Sequence, residues 1–219
     1  MTSRMTIIYT VARMNPPTLG HVSLIESMME EALRQNVKKV HIILSSKVDD
    51  KKNPLEPEDK KHILRTYAIP RAKTDLVLRL SDHSEAIGQI EVNIMLTHEY
   101  NEDFPNDILG TVHKLLSGRI RGEKIIFMTG EKGFPVDKGT EVIILDRTKN
   151  PISGTMVREA AFVSYRNFAA FYPGLSEEDL EWMYDDILES DKPVYKKSES
   201  EPLIQSNNRY ALRSRGPLV

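Results

Sequence analysis

Apolar residues along this chain fall into two alternating patterns: short unbroken runs, and longer stretches that recur at helical spacing. The runs Met5–Val11, Val40–Leu44, Leu76–Leu80, Ile125–Met128 and Val142–Leu145 are rich in Ile, Val and Leu and read as strands. Helical spacing covers His21–Gln35, with Ile25, Met28, Met29 and Ala32 repeating on one face, and then Glu58–Ala68, part of Ser84–His98, Ile108–Leu116, Thr155–Val163 and Glu177–Leu188. Unbroken apolar strands separated by helices predict a parallel sheet covered on both faces. Right-handed crossovers then give an α/β fold, a Rossmann-like doubly wound parallel sheet in the order 3-2-1-4-5. Beyond it, Phe168, Phe171, Tyr172, Leu175, Leu180, Trp182, Met183 and Ile187 predict a C-terminal helical cap. The chain thus divides into a sheet domain over 1–163, a helical extension over 164–189 and a tail over 190–219.

Composition narrows the function classes. The tail is rich in Lys, Ser and Glu, carries Pro193 and Pro202, and has no apolar periodicity, so it reads as disordered. Its Arg209, Arg213 and Arg215 leave RNA binding as a weak alternative. The net charge of −2 provides no global field toward nucleic acid or an anionic membrane, and neither is an expected partner. The absence of cysteine excludes disulfides, thiolate metal sites and cysteine nucleophiles. His62, His83, His98 and His113 lack any spacing for a shared metal, and His41 falls inside a strand. Arg119, Arg121 and Lys124 read as solvated loop charges. No apolar run approaches the roughly 18 residues that span a bilayer, and the N-terminus lacks a signal-peptide core. A cytoplasmic protein with no protein-held metal is the expectation.

Chemistry concentrates at two chain turns. The first is Ala12-Arg13-Met14-Asn15-Pro16-Pro17-Thr18-Leu19-Gly20-His21, where the first strand turns into the first helix. The opening N–H groups of a helix have no intrahelical partner and lie at the positive end of the peptide dipoles, so they face any anion docked there. Gly20 permits close approach, while Thr18 and His21 add side-chain donors. The second turn is Pro151-Ile152-Ser153-Gly154-Thr155-Met156-Val157-Arg158, after the last strand. There Ser153 or Thr155 can cap a helix, and Arg158 stands one turn in, within reach of a phosphate at its N-terminus. In a doubly wound sheet ligands bind beyond the carboxyl ends of the strands where the order reverses, here between strands 1 and 4. The Thr18–His21 turn leaves strand 1 at that point, and Gly130 leaves strand 4 beside it.

Together the two turns, Thr18-Leu19-Gly20-His21 and Ile152-Ser153-Gly154-Thr155-Met156-Val157-Arg158, resemble the signatures [HT]-x-G-H and I-S-[SG]-T-x-x-R of the nucleotidylyltransferase superfamily. Its members include nicotinamide-mononucleotide and pantetheine-phosphate adenylyltransferases and related cytidylyltransferases. The resemblance covers about Met5 to Ala161 and is nearest to viral and phage members, which carry Gly-Arg-Phe-Asn-Pro-Pro-Thr-x-Gly-His; the segment Asp49-Asp50-Lys51-Lys52-Asn53-Pro54-Leu55 is also similar to theirs. The implied fold is the HIGH-type nucleotidyltransferase variant of the doubly wound sheet. The implied reaction moves a nucleoside monophosphate from ATP or CTP, with ATP slightly favoured, to a small phosphorylated acceptor and releases pyrophosphate. An acceptor phosphomonoester has its second pKa near ~6 and is largely ionised at pH 7, so no strong general base is needed. Positioning and charge stabilisation then supply the catalysis.

The resemblance implies His21, Thr18, Arg158 and a lysine after strand 2 as the catalytic set. Lys47, Lys51 and Lys52 all lie in that loop, with Lys51 or Lys52 nearest the family position. Arg13, Met14, Asn15, Gly20, Lys52, Gly130, Ile152, Ser153, Gly154 and Thr155 are the implied nucleotide-binding residues. Mg2+ is expected to arrive with the triphosphate rather than in a protein cage, and homo-oligomers occur in the family. The chain departs from the pattern in three places. Ala12 replaces the opening glycine, Gly130-Glu131-Lys132-Gly133 replaces a G-x-D sequence, and T-x-G-H leaves one imidazole where H-x-G-H would supply two. The altered Gly130 segment motivates a second reading, a catalytically inactive nucleotide-binding scaffold or sensor.

Overall fold

The computed structural model describes residues 6–49, 52–101, 103–118, 123–131, 133–146 and 151–190. The expected tail beyond Ser190, along with Lys51, Arg119, Arg121 and Lys132, therefore lies outside the described residues. Five strands, β1 (Thr6–Ala12), β2 (Lys39–Leu44), β3 (Glu91–Leu96), β4 (Lys124–Thr129) and β5 (Thr140–Ile144), pair in parallel throughout in the order β3-β2-β1-β4-β5. The helices are α1 (Leu19–Gln35), α2 (Pro57–Ile63), α3 (Ile69–Arg79), α4 (Ser84–Gly88), α5 (Thr97–Tyr100), α6 (Ile108–Ser117), α7 (Gly154–Val163), α8 (Tyr165–Ala169) and α9 (Glu177–Glu189). The chain is thus an α/β protein with a Rossmann-like sheet.

Alternation along β1 divides the core into two layers. Ile8 faces the layer built from α1, α3 and α7, where Ile25, Met28, Leu76 and Val157 are buried. Tyr9 faces the opposite layer, with Val112 and Leu116 of α6 and Phe127 of β4. Phe168, Tyr172, Met183 and Ile187 from α8, α9 and their connection join the first layer as a cap beside α7. Among the described residues no helix is long and apolar enough to cross a membrane.

The third strand is not where the apolar run placed it. Leu76–Leu80 is the end of α3, and the strand is Glu91–Leu96, within the stretch expected to be partly helical. Ala72 and Leu76, four apart, are buried, whereas Leu78 is 79 % exposed, so this run follows a period of 3.6 rather than two. Only the second half of Glu91–Leu96 is apolar on both faces, since Glu91 and Asn93 interrupt the first half. The helix expected to end at Ala68 instead continues. Leu64–Ala68 forms a π turn between α2 and α3, and the Ile69 N–H donates to Leu64 O. This wider turn precedes Pro70, which has no N–H for a helical ladder. Lys124 is the first residue of β4, ion-paired to Glu141 at 2.9 Å, rather than a solvated loop charge.

Candidate active site

Thr18 is the N-cap of α1 and Ser153 the N-cap of α7, and neither helix has an acidic residue in its first turn. In contrast, α2 opens with Glu58 and Asp59, and α9 with Glu177, Glu178 and Asp179. Carboxylates there answer the positive end of the dipole internally. At α1 and α7 no first-turn carboxylate does so.

The two turns meet although they are far apart in sequence. Arg158 Nη1 donates to Asn15 O at 2.6 Å, and Nη2 donates to Thr155 Oγ1 at 3.1 Å. Thr18 Oγ1 donates to Ile152 O at 3.3 Å. A Cβ at Gly154 would stand 3.0 Å from Asn15 O and 3.2 Å from Arg158 Nη1, so any larger residue there would push these neighbours back by a few tenths of an ångström. The Asn15 side chain continues the network. Its Nδ2 donates to Leu55 O and its Oδ1 accepts from Leu55 N, both at 3.0 Å, which ties the first turn to the segment after β2. Met14, just before it, has φ 46° in the left-handed region, as the sharp turn out of β1 demands.

The histidine is oriented by the same turn. Thr18 N–H donates to His21 Nδ1 at 2.9 Å. A nitrogen that accepts a backbone N–H carries no proton, so the neutral ring bears its proton on Nε2 and can donate from it. His21, Gly20, Asn15, Gly154, Thr155 and Arg158 line one cleft of about 1380 Å3 at the carboxyl ends of β1 and β4. Arg13, Met14, Lys47, Lys52, Gly130 and Ser153 line it as well.

Thr18, expected to bind the triphosphate, is only 1 % exposed, and its hydroxyl lies 3.0 Å from His21 Nδ1 and 3.3 Å from Ile152 O. Ser153 Oγ accepts from Met156 N at 3.2 Å as the helix cap, which leaves Thr155 to hold the arginine. Lys51 lies outside the described residues. Lys47 is ion-paired to Asp49 at 3.6 Å, while Lys52 and Arg13 have no carboxylate within 4.0 Å among the described residues. Arg158 also lacks such a partner, and burial together with the nearby Arg13 cation lowers its pKa from the usual arginine range. Two guanidinium groups placed this way favour an anion between them.

Of the other cleft residues, Thr10 and Phe134 carry no sequence signal. Thr10 on β1 is 0 % exposed, and its Oγ1 has no hydrogen-bond partner among the described residues. Such a group is costly unless a ligand completes it. Phe134 lines the cleft and rests on Phe127 with centroids 5.1 Å apart. Glu131 and Asp146 bring carboxylates to the β4 and β5 exits, the region where the family's G-x-D acid is missing. Their positions become visible only once the sheet order is known. Comparison of the chain with protein-family models, with curated proteins and with solved structures finds no match.

Proposed function

We propose that this protein is a nucleotidyltransferase of the HIGH type, which moves a nucleoside monophosphate from ATP or CTP to a small phosphorylated acceptor and releases pyrophosphate. The observation that carries the reading is the Arg158–Asn15 contact, which joins the two resembling turns over a cleft that also receives the His21 ring. In this reading the triphosphate lies across the N-termini of α1 and α7. Arg158, Arg13 and the α7 N–H groups hold its β- and γ-phosphates, and His21 Nε2–H donates to the α-phosphate oxygen as charge builds there. The acceptor phosphate, already ionised, attacks in line, and pyrophosphate departs toward the arginines. Phosphate oxygens suit Mg2+, so the ion is proposed to travel with the triphosphate, where it would help neutralise the leaving group.

A pyrophosphate-release screen tests the reading, with each nucleoside triphosphate set against a range of phosphomonoesters. Release with one pairing supports transfer. Triphosphate binding by calorimetry, without release across the panel, favours the scaffold or sensor reading. Absence of triphosphate binding overturns both.

A further inference from the structure

Lys60 is the one cation among the described residues that is completely buried, with 0 % exposure. It lies on α2, outside both resembling turns, and no step of the proposed reaction uses it. Its Nζ donates to Ser45 O at 2.7 Å. No carboxylate stands within 4.0 Å among the described residues, and Glu56 and Asp59 on its own helix favour its charge only from farther away. The other buried ionic side chain, Glu31, has both Arg34 and Gln35 as partners.

An ammonium in this position is poor fold chemistry. Removing a charge from water costs several kcal/mol unless a counter-charge and further hydrogen bonds offset it, and apolar replacements of similar volume are often neutral or stabilising. One neutral carbonyl offsets little of that cost. The carbonyl it holds is nonetheless informative. Ser45 is the first residue beyond β2, is 4 % exposed and lines the cleft. Its N–H donates to Ala12 O at 3.0 Å, at the end of β1, and its Oγ accepts from Lys47 N at 3.2 Å. Lys60 therefore holds from behind the residue, Ser45, that links the β1 exit to the lysine loop. A buried charge is also screened far less by salt than the exposed Lys47 and Lys52 of that loop.

We infer that Lys60 is a positioning residue of the cleft, whose buried ammonium fixes the peptide leaving β2, and with it Lys47, for binding a polyphosphate. The inference rests on the proposed function and extends it to a residue that touches no substrate. Inorganic tripolyphosphate serves as the probe, because it binds without requiring turnover or a known acceptor.

Calorimetry with tripolyphosphate, thermal unfolding and amide hydrogen exchange are to be measured on the full chain and on Lys60→Met and Lys60→Gln. Lys60→Met is expected to unfold at or above the wild-type midpoint at pH 7, to bind tripolyphosphate at least ten-fold more weakly, and to exchange faster at residues 45–47. Lys60→Gln, which keeps a shorter donor without the charge, is expected to lose affinity as well. Unchanged affinity in a folded Lys60→Met overturns the inference while leaving the nucleotidyltransferase reading intact. Weaker binding accompanied by a lower midpoint, or failure of both variants to fold, also overturns it, because Lys60 then serves the fold alone. If the wild-type chain does not bind tripolyphosphate, the cleft reading fails and this inference fails with it.

Discussion

The guanidinium of Arg158 donates to the main-chain oxygen of Asn15 at 2.6 Å, across 143 positions of sequence. The contact makes one rigid corner from two loops and fixes the arginine before any ligand arrives. Arg158→Lys removes the planar fork while keeping the charge, so one amine cannot serve Asn15 O, Thr155 Oγ1 and a phosphate together. Triphosphate affinity is expected to fall roughly ten-fold or more, a loss calorimetry would register, with little change in the unfolding midpoint. Equal affinity would show that the corner does not bind phosphate.

Gly154→Ala addresses the same corner without touching charge. The added methyl would stand 3.0 Å from Asn15 O and 3.2 Å from Arg158 Nη1, tight enough that one of them must shift by a few tenths of an ångström. The arginine is the more mobile of the two and gives way. The expected result is a several-fold loss of triphosphate binding with a cost to stability of about 1–2 kcal/mol, at the lower end of overpacking effects. An unaltered binding isotherm would mean that the parked position of Arg158 is irrelevant.

His21→Ala is expected to lower pyrophosphate release by roughly two orders of magnitude, the scale for removing one donor to developing charge. Triphosphate affinity should change far less, since the ring is proposed to act mainly in the transition state. Single-turnover rates alongside equilibrium binding separate the two effects. A drop in affinity as large as the drop in rate would recast His21 as a ground-state ligand.

Much of this arrangement is legible in the sequence, and the remainder fails for identifiable reasons. The strand–turn–helix at 6–35 reads correctly because its apolar run, prolines and helical repeat all agree, and the sheet order follows from chirality. The third strand misleads because Leu76-Val77-Leu78, followed by Leu80, fits an apolar run in either period, and only burial shows that Leu78 faces solvent. Thr18 reads as a ligand from its letters, and the structure shows its hydroxyl buried near His21 Nδ1 and Ile152 O, the latter a contact beyond any local pattern. Asn15 meets Leu55 at a separation of 40 positions, which no local pattern encodes. Lys60 and Lys61 are neighbours in the same acidic, lysine-rich stretch and look alike as letters. The fold buries the first and pairs the second with Glu99.

The cap reaches the first turn through the hydroxyl of Tyr172. Tyr172 is 1 % exposed, and its Oη donates to Pro17 O at 2.8 Å. Tyr172→Phe keeps the ring contacts with Phe168 and Tyr67 but leaves a buried carbonyl unpaired. The expected cost is about 1–2 kcal/mol, or roughly 2–8 °C in the unfolding midpoint for a chain of this size. A midpoint within 1 °C of wild type, on a scale of roughly 2–4 °C per kcal/mol, would show that water replaces the hydroxyl.

Burial lowers the pKa of Lys60 from 10.5 to about 8. Between those values the unfolded chain holds the proton and the folded chain has released it, so the unfolded state binds more protons and stability rises with pH. The destabilisation is complete below pH 8, diminishes as pH climbs from 8 toward 10.5, and is absent above. Its full size is about 3 kcal/mol, taking one pKa unit as about 1.4 kcal/mol. Tyr9, pushed up to about 12 by burial and by the nearby Asp137 carboxylate, acts oppositely, since its folded form keeps a proton that the unfolded form loses above pH 10. The clear window is therefore pH 8 to 10, where chemical denaturation should show the wild-type unfolding free energy increasing by about 2–3 kcal/mol. Lys60→Met should start higher at pH 7 and lose this slope. A wild-type slope that persists in Lys60→Met would place the titrating group elsewhere, whereas its disappearance identifies the ammonium behind Ser45 as the group that folding must desolvate.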